Sequence, residues 1–331
     1  MTDRSRGGPR RVLVLGTGGT IASTSADGSG AVASLTARDL LGELAPEGVE
    51  VETDDVFTLG SYLLEHRHLR QVVEAVAAAV ARDDVDGVVV THGTDTVEET
   101  GFLLSLCQRS DKPVVLTGAQ RSADHADTDG PRNLRDAVVV AADPHAEGMG
   151  PLLVFAGLAL PGGRFRKAHT LAPQPFAVSD GGPLGTVGED GVRLHARPVR
   201  HTSPLSLTAR FDTTRVDVVT LHPGADAALA RAAVEAGAEA VVLAGTGAGN
   251  GNHALLRWVT ESVAQGVTVG VSTRVAEGPV APLYGNGGAR DLLDAGALSM
   301  GALPLFHARL LLAALRSTGE KVTQELVDRY A

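Results

Sequence analysis

The chain has 331 residues, 44% hydrophobic but only 3% aromatic, so a sizeable core must be built from Val, Leu and Ala rather than stacked rings. Lys and Arg number 29 against 39 Asp and Glu, a net charge of −10 with no Lys/Arg-rich run, which argues against nucleic acid as a partner. The single cysteine, Cys107, excludes an internal disulfide framework and a cysteine zinc site, and no apolar run approaches the ~20 residues that span a membrane.

The start, MTDRSRGGPRR, runs into VLVLGTGG without the apolar stretch and small-residue cleavage site of a secretory signal, so a cytoplasmic location is expected. The first predicted strand is Val12 to Leu15, a continuous apolar run that stops at Gly16. Similar runs follow at Gly87 to Val90, Val114 to Leu116, Leu152 to Phe155, Val216 to Val219, Ala240 to Leu243 and Val267 to Val271. None alternates polar with apolar residues, which fits parallel strands covered on both faces. Helical patterns lie between them, including Leu69 to Ala81 and Pro131 to Ala142, the second introduced by Asp129-Gly130-Pro131. This alternation predicts an α/β fold. A larger amino-terminal domain with an open parallel sheet is expected over 1–200 and a smaller doubly wound α/β carboxyl-terminal domain over 216–331. The 201–215 stretch between them is polar, contains Pro204 and is expected to be a linker.

In an open α/β sheet, chemistry collects beyond the carboxyl ends of the strands. Gly16-Thr17-Gly18-Gly19-Thr20 follows the first strand. Its glycines allow a tight turn and close backbone approach, and its amides can face an anion or a developing oxyanion; a plain glycine turn is the competing reading. The spacing is neither a dinucleotide fingerprint nor a phosphate loop, and no cofactor is expected. Further on, Thr91-His92-Gly93 ends a strand and presents Thr94, Asp95 and Thr96 at a helix entrance. Asp95 can bind a substrate cation, but simple capping by Thr94 or Asp95 accounts for the same residues, as helix-start duty does for Glu98 and Glu99. Thr117-Gly118-Ala119 closes another strand and leaves backbone carbonyls available to a ligand, while Arg121 has Asp124 or Asp129 as pairing partners. His66 and His68 share a charged stretch and His92 and His125 fall in different loops, so no metal site is expected. Lysine occurs only at Lys112, Lys167 and Lys321, which marks Lys167 for proton exchange that arginine cannot perform; a solvated basic turn is the alternative.

In this order, VLVLGTGGTIAS (Val12 to Ser23), VVVTHGTDTVEET (Val88 to Thr100) and TGAQRSADHADTDGPRNLRDAV (Thr117 to Val138) resemble the bacterial-type L-asparaginases, including the glutaminase-asparaginases. Gly60-Ser61, Lys167-Ala168-His169-Thr170, Gly182-Pro183-Leu184-Gly185 and AGTGAGNGN (Ala244 to Asn252) extend the resemblance over nearly the whole chain. It implies hydrolysis of the L-asparagine side-chain amide to L-aspartate and ammonia. It also implies a homotetramer built as a dimer of close dimers, with active sites near the intimate interface. By the same resemblance Thr17 is the acyl-forming nucleophile, Thr94 a second essential threonine, and Asp95 and Lys167 complete its hydrogen-bonded group. Asp95 also binds the substrate ammonium, Ser61 receives its α-carboxylate, Ala119 offers its carbonyl near the leaving amide, and Asn252 reaches the neighbouring subunit's site.

That chemistry is coherent on general grounds, because a threonine hydroxyl is a weak nucleophile until its proton has somewhere to go. Three departures from the family pattern stand out. The stretch SADGSGAVASLTARDL, residues 25–40, lacks the tyrosine usual on the family's mobile flap, and Tyr62 follows Ser61 where glutamine is common. His307 also stands where lysine is common before the terminal helix and reads as a structural variation. Two rivals remain. One is an asparagine-binding sensor with little turnover. The other is the glutamine-hydrolysing subunit of a transfer-RNA amidotransferase, which carries an extra amino-terminal domain that a first strand starting by residue 11 argues against.

Overall fold

The branched apolar runs form strands because each is covered by helices on both faces. The computed structural model describes residues 8–25, 30–41, 46–189, 191–200 and 203–331. Its chain divides into two units, Met1–Pro204 and Leu205–Ala331.

In the first unit the order is β1 (Arg10–Gly18), β2 (Ser23–Thr24), β3 (Val32–Ala33), α1 (Ala37–Leu41), β4 (Val49–Leu59), α2 (His66–Ala81), β5 (Gly87–Thr91) and α3 (Val97–Cys107). There follow β6 (Val114–Thr117), α4 (Gly130–Ala142), β7 (Pro151–Phe155), β8 (Leu158–Pro161), β9 (Phe165–Lys167), β10 (Phe176–Val178), β11 (Gly185–Gly188) and β12 (Gly191–Leu194). Eight of these strands form one sheet in the order β12-β11-β8-β7-β6-β5-β1-β4. β4, β1, β5, β6 and β7 are parallel; β8, β11 and β12 extend the sheet antiparallel.

Successive strand residues serve opposite faces. Val12, Val14, Val89, Val115 and Leu152 join Leu134, Ala137 and Val138 of α4 in one buried cluster. Leu13, Leu15, Val88, Val90 and Leu116 join Val72 and Val76 of α2 and Leu104 of α3 in another. That two-sided burial is why the runs read as continuously apolar.

Two features of the sheet depart from the sequence expectation. β4 was not among the expected strands: VEVETDDVFTL alternates because it is an edge strand with one face to solvent, and a search for continuous apolar runs passes over it. The antiparallel strands β8, β11 and β12 are four residues each, and segments so short carry little periodicity.

In the second unit β13 (Val216–Thr220), α5 (Ala228–Glu235), β14 (Ala240–Gly245), α6 (His253–Ala264), β15 (Thr268–Thr273), α7 (Ala289–Asp294), β16 (Leu298–Ser299), α8 (Leu305–Ser317) and α9 (Gln324–Asp328) follow one another. The sheet is parallel, in the order β13-β14-β15-β16. Val241, Leu243, Val269 and Val271 pack with Ala230 of α5, Leu255 and Trp258 of α6 and Leu292 of α7. α8 packs against the same sheet, where a Cβ on Gly270 would lie 2.9 Å from Leu312 Cδ1. His307 is fully buried within α8.

Residues 201 and 202 of the expected linker lie outside the described residues, and Ala209–Thr213 forms a short helical turn capped by the Thr208 side chain. Among the described residues no helix is long and apolar enough to cross a membrane.

Candidate active site

Three strand ends of the first unit converge through glycines. At the end of β1, Gly18 and Gly19 have φ of +90° and +80°, which L side chains rarely adopt. A Cβ on Gly18 would sit 2.5 Å from the Leu59 backbone, and one on Gly19 would sit 2.3 Å from Gly93 Cα. The loop after β1 therefore threads between the end of β4 and the end of β5, with Gly19 N–H donating to the Leu59 carbonyl at 2.9 Å. The β1–β4 register slips between Gly16 and Gly18, re-aiming the strand end where Thr17 stands. Thr17 is buried, and its hydroxyl donates to the Thr91 carbonyl at 2.7 Å.

Ser61 lies in a short helical turn after β4, buried against the same loop, and a Cβ on Gly93 would be 2.5 Å from its Oγ. Its carbonyl accepts from the Thr96 hydroxyl at 3.0 Å. Tyr62 turns outward with 70% of its surface exposed, its ring over Gly60. Residues 26–29, within the stretch that lacks the flap tyrosine, lie outside the described residues.

The loop after β5 carries the polar centre. Lys167 Nζ is 2.8 Å from Thr94 Oγ1 and 2.7 Å from Asp95 Oδ1. Thr94 is buried, whereas Asp95 is exposed. Neither caps the following helix: α3 starts at Val97 with Thr96 in the N-cap position and no side-chain cap bond. The capping alternative thus does not account for Thr94 and Asp95.

Lys167 reaches this point because β9 is anchored beneath it. Phe165 is fully buried and meets Phe176 of β10 edge-on at 5.5 Å, and Phe176 meets Phe155 of β7 at 5.1 Å. Glu98 accepts the Lys167 backbone N–H, so it does more than favour a helix start. Burial pushes the Glu98 carboxyl above its usual range, despite that bond and the nearby Arg166 and Lys167.

Beneath the loop, His92 is fully buried between two partners. Its Nδ1 is 2.9 Å from the Gly93 carbonyl and its Nε2 2.9 Å from Thr100 Oγ1. The carbonyl requires a donor, so Nδ1 carries the proton and Nε2 accepts from the hydroxyl. Burial lowers the His92 pKa from 6.5 to about 4, so the ring is a neutral strut under Gly93 and Thr94. The unfolded chain takes up this proton first as pH falls. Stability from neutral His92 is therefore present above pH 6.5 and lost towards pH 4, by about 3 kcal/mol. Urea unfolding of the parental chain and of His92→Gln at pH 7 and pH 4 checks this: the variant is expected to show the smaller acid loss.

The loop after β6 contributes Ala119, which is fully buried, and a Cβ on Gly118 would sit 2.4 Å from the His92 carbonyl oxygen and 3.5 Å from Thr94 Cγ2. Arg121 pairs with neither Asp124 nor Asp129; its guanidinium meets Asp127 at 2.5 Å. Asp129 is instead taken by the backbone N–H groups of Gln120 and Arg121 and by Asn133 Nδ2, while Asp124 accepts from Ser25 N–H. Gln120, which the sequence reading passed over, bonds Thr94: its Oε1 is 3.2 Å from Thr94 Oγ1. Among the described residues no group of three His, Cys, Asp or Glu side chains is placed to hold a metal.

Asn252 belongs to the second unit. Its Oδ1 caps α6 by accepting from Ala254 and Leu255 N–H at 3.0 Å each, and its Nδ2 donates to the Ala225 carbonyl at 2.8 Å. The structure thus brings the loops carrying Thr17, Ser61, Thr94 and Ala119 together and links Asp95, Thr94 and Lys167 by hydrogen bonds, with Asn252 elsewhere in the chain.

Residues 11–200 match the family model for the asparaginase N-terminal domain, and residues 215–326 match that for the glutaminase/asparaginase C-terminal domain. A probable L-asparaginase of Deinococcus radiodurans is 37% identical over 317 residues, covering 93% of this chain and 94% of that protein. L-asparaginase 2 of Bacillus subtilis is 32% identical over 317 residues, covering 93% and 83%. A glutaminase-asparaginase of Pseudomonas aeruginosa is 32% identical over 280 residues, covering 81% and 76%. Among solved structures, a probable cytoplasmic L-asparaginase from Campylobacter jejuni superposes with a TM-score of 0.86 at 28% identity, over 97% of this chain and 99% of that one.

Proposed function

The chain belongs to the asparaginase family, and on that premise we propose that it is an L-asparagine amidohydrolase, releasing L-aspartate and ammonia. The observation that carries the reading is Lys167 Nζ, held between the Thr94 hydroxyl and the Asp95 carboxylate beside the Thr17 and Ser61 loops. A buried hydroxyl, a lysine donor and an exposed carboxylate together form a set able to cleave an amide and to hold a substrate cation.

In this reading Asp95 takes the substrate ammonium and Ser61 its α-carboxylate, which sets the amide over the threonines and replaces random encounter by fixed orientation. The Thr17 hydroxyl attacks the amide carbon, and backbone amides near the glycine turn and Thr94 stabilise the oxyanion. The Ala119 carbonyl lies near the leaving amide. Water then releases aspartate from the acyl group on Thr17. No metal or cofactor enters the mechanism.

L-Asparagine is expected to exceed L-glutamine in kcat/KM, with weaker glutaminase activity remaining. Glutamine's extra methylene displaces its carbonyl from the threonines when the α-groups are held at Asp95 and Ser61. One methylene is worth about 1–3 kcal/mol in such a pocket, so a ratio of roughly 10–200 is expected. Tyr62 points outward, so it does not supply the narrowing, and the spacing of the anchored groups carries the preference. Parallel kcat/KM measurements check this; equal values or a glutamine preference contradict an asparagine-selective pocket.

The proposal includes a homotetramer made of close dimers, in which the smaller domain, 216–331, presents Asn252 to a neighbouring site formed by the larger one, 1–200. With Oδ1 and one amide hydrogen of Asn252 engaged in its own unit, a second amide hydrogen is the group on offer. Light scattering at assay concentration is expected to show the tetramer, and an active monomer contradicts it. A cytoplasmic location completes the reading, supported by the name of the Campylobacter jejuni neighbour.

A further inference from the structure

Gln120 joins three groups that lie far apart in sequence. Its Nε2 donates to the carbonyl oxygens of Thr170 at 3.2 Å and Ala172 at 3.0 Å, and its Oε1 faces the Thr94 hydroxyl at 3.2 Å. Its backbone N–H is held by both carboxylate oxygens of Asp129, at 3.1 and 3.0 Å. Carbonyl oxygens cannot donate, so the two of them fix the amide's orientation: Nε2 faces them and Oε1 faces Thr94. The only proton available to the Thr94–Gln120 contact is then the hydroxyl's own, and it is directed to Gln120. Lys167 Nζ, 2.8 Å from the same oxygen, must donate into Thr94 rather than accept from it.

We propose that Gln120 is a positioning residue that sets the direction of proton flow through Thr94, from Lys167 by way of Thr94 to the departing amide nitrogen. The inference rests on the amidohydrolase reading of this site. When Thr17 attacks, its proton is released to solvent and the amide carbonyl becomes an oxyanion. As the oxyanion collapses, the carbon–nitrogen bond breaks and its electron pair stays on nitrogen. The nitrogen takes the Thr94 hydroxyl proton, which turns away from Gln120, and Thr94 Oγ1 takes a proton from the Lys167 ammonium. Ammonia leaves, and Lys167 recovers its proton through Thr94 from the water that adds to the acyl carbon; the bond from that carbon to the Thr17 oxygen then breaks, and the oxygen takes a proton back from solvent as aspartate is released. Without Gln120 the hydroxyl is free to rotate and point at Lys167, and fewer molecules are arranged for this relay. Gln120 exchanges no proton itself and acts only through the orientation of the Thr94 hydroxyl.

The test compares kcat for L-asparagine and for L-aspartate β-hydroxamate in the parental chain, in Gln120→Met and in Gln120→Glu. Hydroxylamine is less basic than ammonia and departs with less help from an acid, so a defect in proton delivery weighs most on the amide. Gln120→Met keeps the length and loses the acceptor. It is expected to lower kcat on asparagine about 10–100-fold, to cost the hydroxamate at least about threefold less, and to leave KM within about threefold. Gln120→Glu keeps an oxygen facing Thr94 and is expected to hold the parental ratio of the two rates within about threefold, whatever stability it loses at the Thr170 and Ala172 carbonyls. Equal losses on both substrates in Gln120→Met, no loss on either, or a ratio in Gln120→Glu that falls as far as a missing acceptor predicts overturn the inference and leave the amidohydrolase reading standing. A parental chain that releases no ammonia from asparagine overturns both. Should Gln120→Met fail to fold, the Gln120→Glu ratio and a proton inventory of parental kcat in mixed light and heavy water decide: a curved inventory is expected from two protons in flight, and a linear one overturns the relay.

Discussion

Thr94→Val is expected to lower kcat for L-asparagine by about 10²–10⁴-fold while KM moves by less than about tenfold. Valine nearly matches threonine in volume, so the buried site keeps its shape while the hydroxyl is lost. Three contacts fail together. Lys167 loses the acceptor at 2.8 Å and keeps only Asp95, and Gln120 Oε1 loses its donor at 3.2 Å. In the proposed relay the substrate amide also loses the group that hands it a proton. On the proposed reading the substrate's α-groups are held by Asp95 and Ser61, which the substitution leaves in place, so the defect should fall on turnover rather than on binding. Steady-state kinetics at saturating asparagine measure it, and near-parental turnover removes Thr94 from proton transfer.

Thr17→Val is expected to cost at least as much, about 10³-fold or more, and to abolish accumulation of an acyl-enzyme. Its hydroxyl lies buried at the end of β1 and donates to the Thr91 carbonyl, which accepts the hydrogen bond but is too weak a base to take the proton. The attacking oxygen is thus placed but not yet activated, and a bound substrate supplies the remaining geometry. Thr17→Val leaves the Thr94–Lys167–Asp95 bonds intact, which separates nucleophile loss from network loss. A Thr17→Val/Thr94→Val double variant is expected to be scarcely slower than the worse single variant, because groups acting on one reaction do not add. Rapid-quench measurement of acyl-enzyme in Thr17→Val, with turnover of all three variants, checks both statements. An undiminished acyl-enzyme burst in Thr17→Val contradicts its role as nucleophile.

Much of the fold is legible in the sequence alone. The strands that carry the site are buried on both faces, so Val12 to Leu15, Gly87 to Val90 and Val114 to Leu116 stand out as unbroken apolar runs, and the polar residues at their ends mark where loops gather. The ordered motifs were enough to suggest the family. β4 was harder, because an edge strand alternates and its charged face hides it. Gln120 and Glu98 were invisible as site residues for a different reason. Each acts through a partner remote in sequence, Thr94 for Gln120 and the Lys167 backbone for Glu98, and neither residue type nor local spacing encodes such a meeting. Arg121 shows the limit of proximity arguments: the nearby Asp129 was unavailable to it because backbone amides had already claimed that carboxylate. Asn252 carried a readable capping signal at the start of HALLRWVTESVA, and the cap is what its side chain makes in its own unit.

The most direct test of the central claim is release of ammonia and aspartate by the purified chain, followed side by side for L-asparagine, D-asparagine and L-glutamine over a range of concentrations. The account predicts equimolar ammonia and L-aspartate from L-asparagine at a saturable rate, with L-glutamine slower in kcat/KM. Binding of L-asparagine without product, or ammonia released from L-glutamine alone, would contradict it.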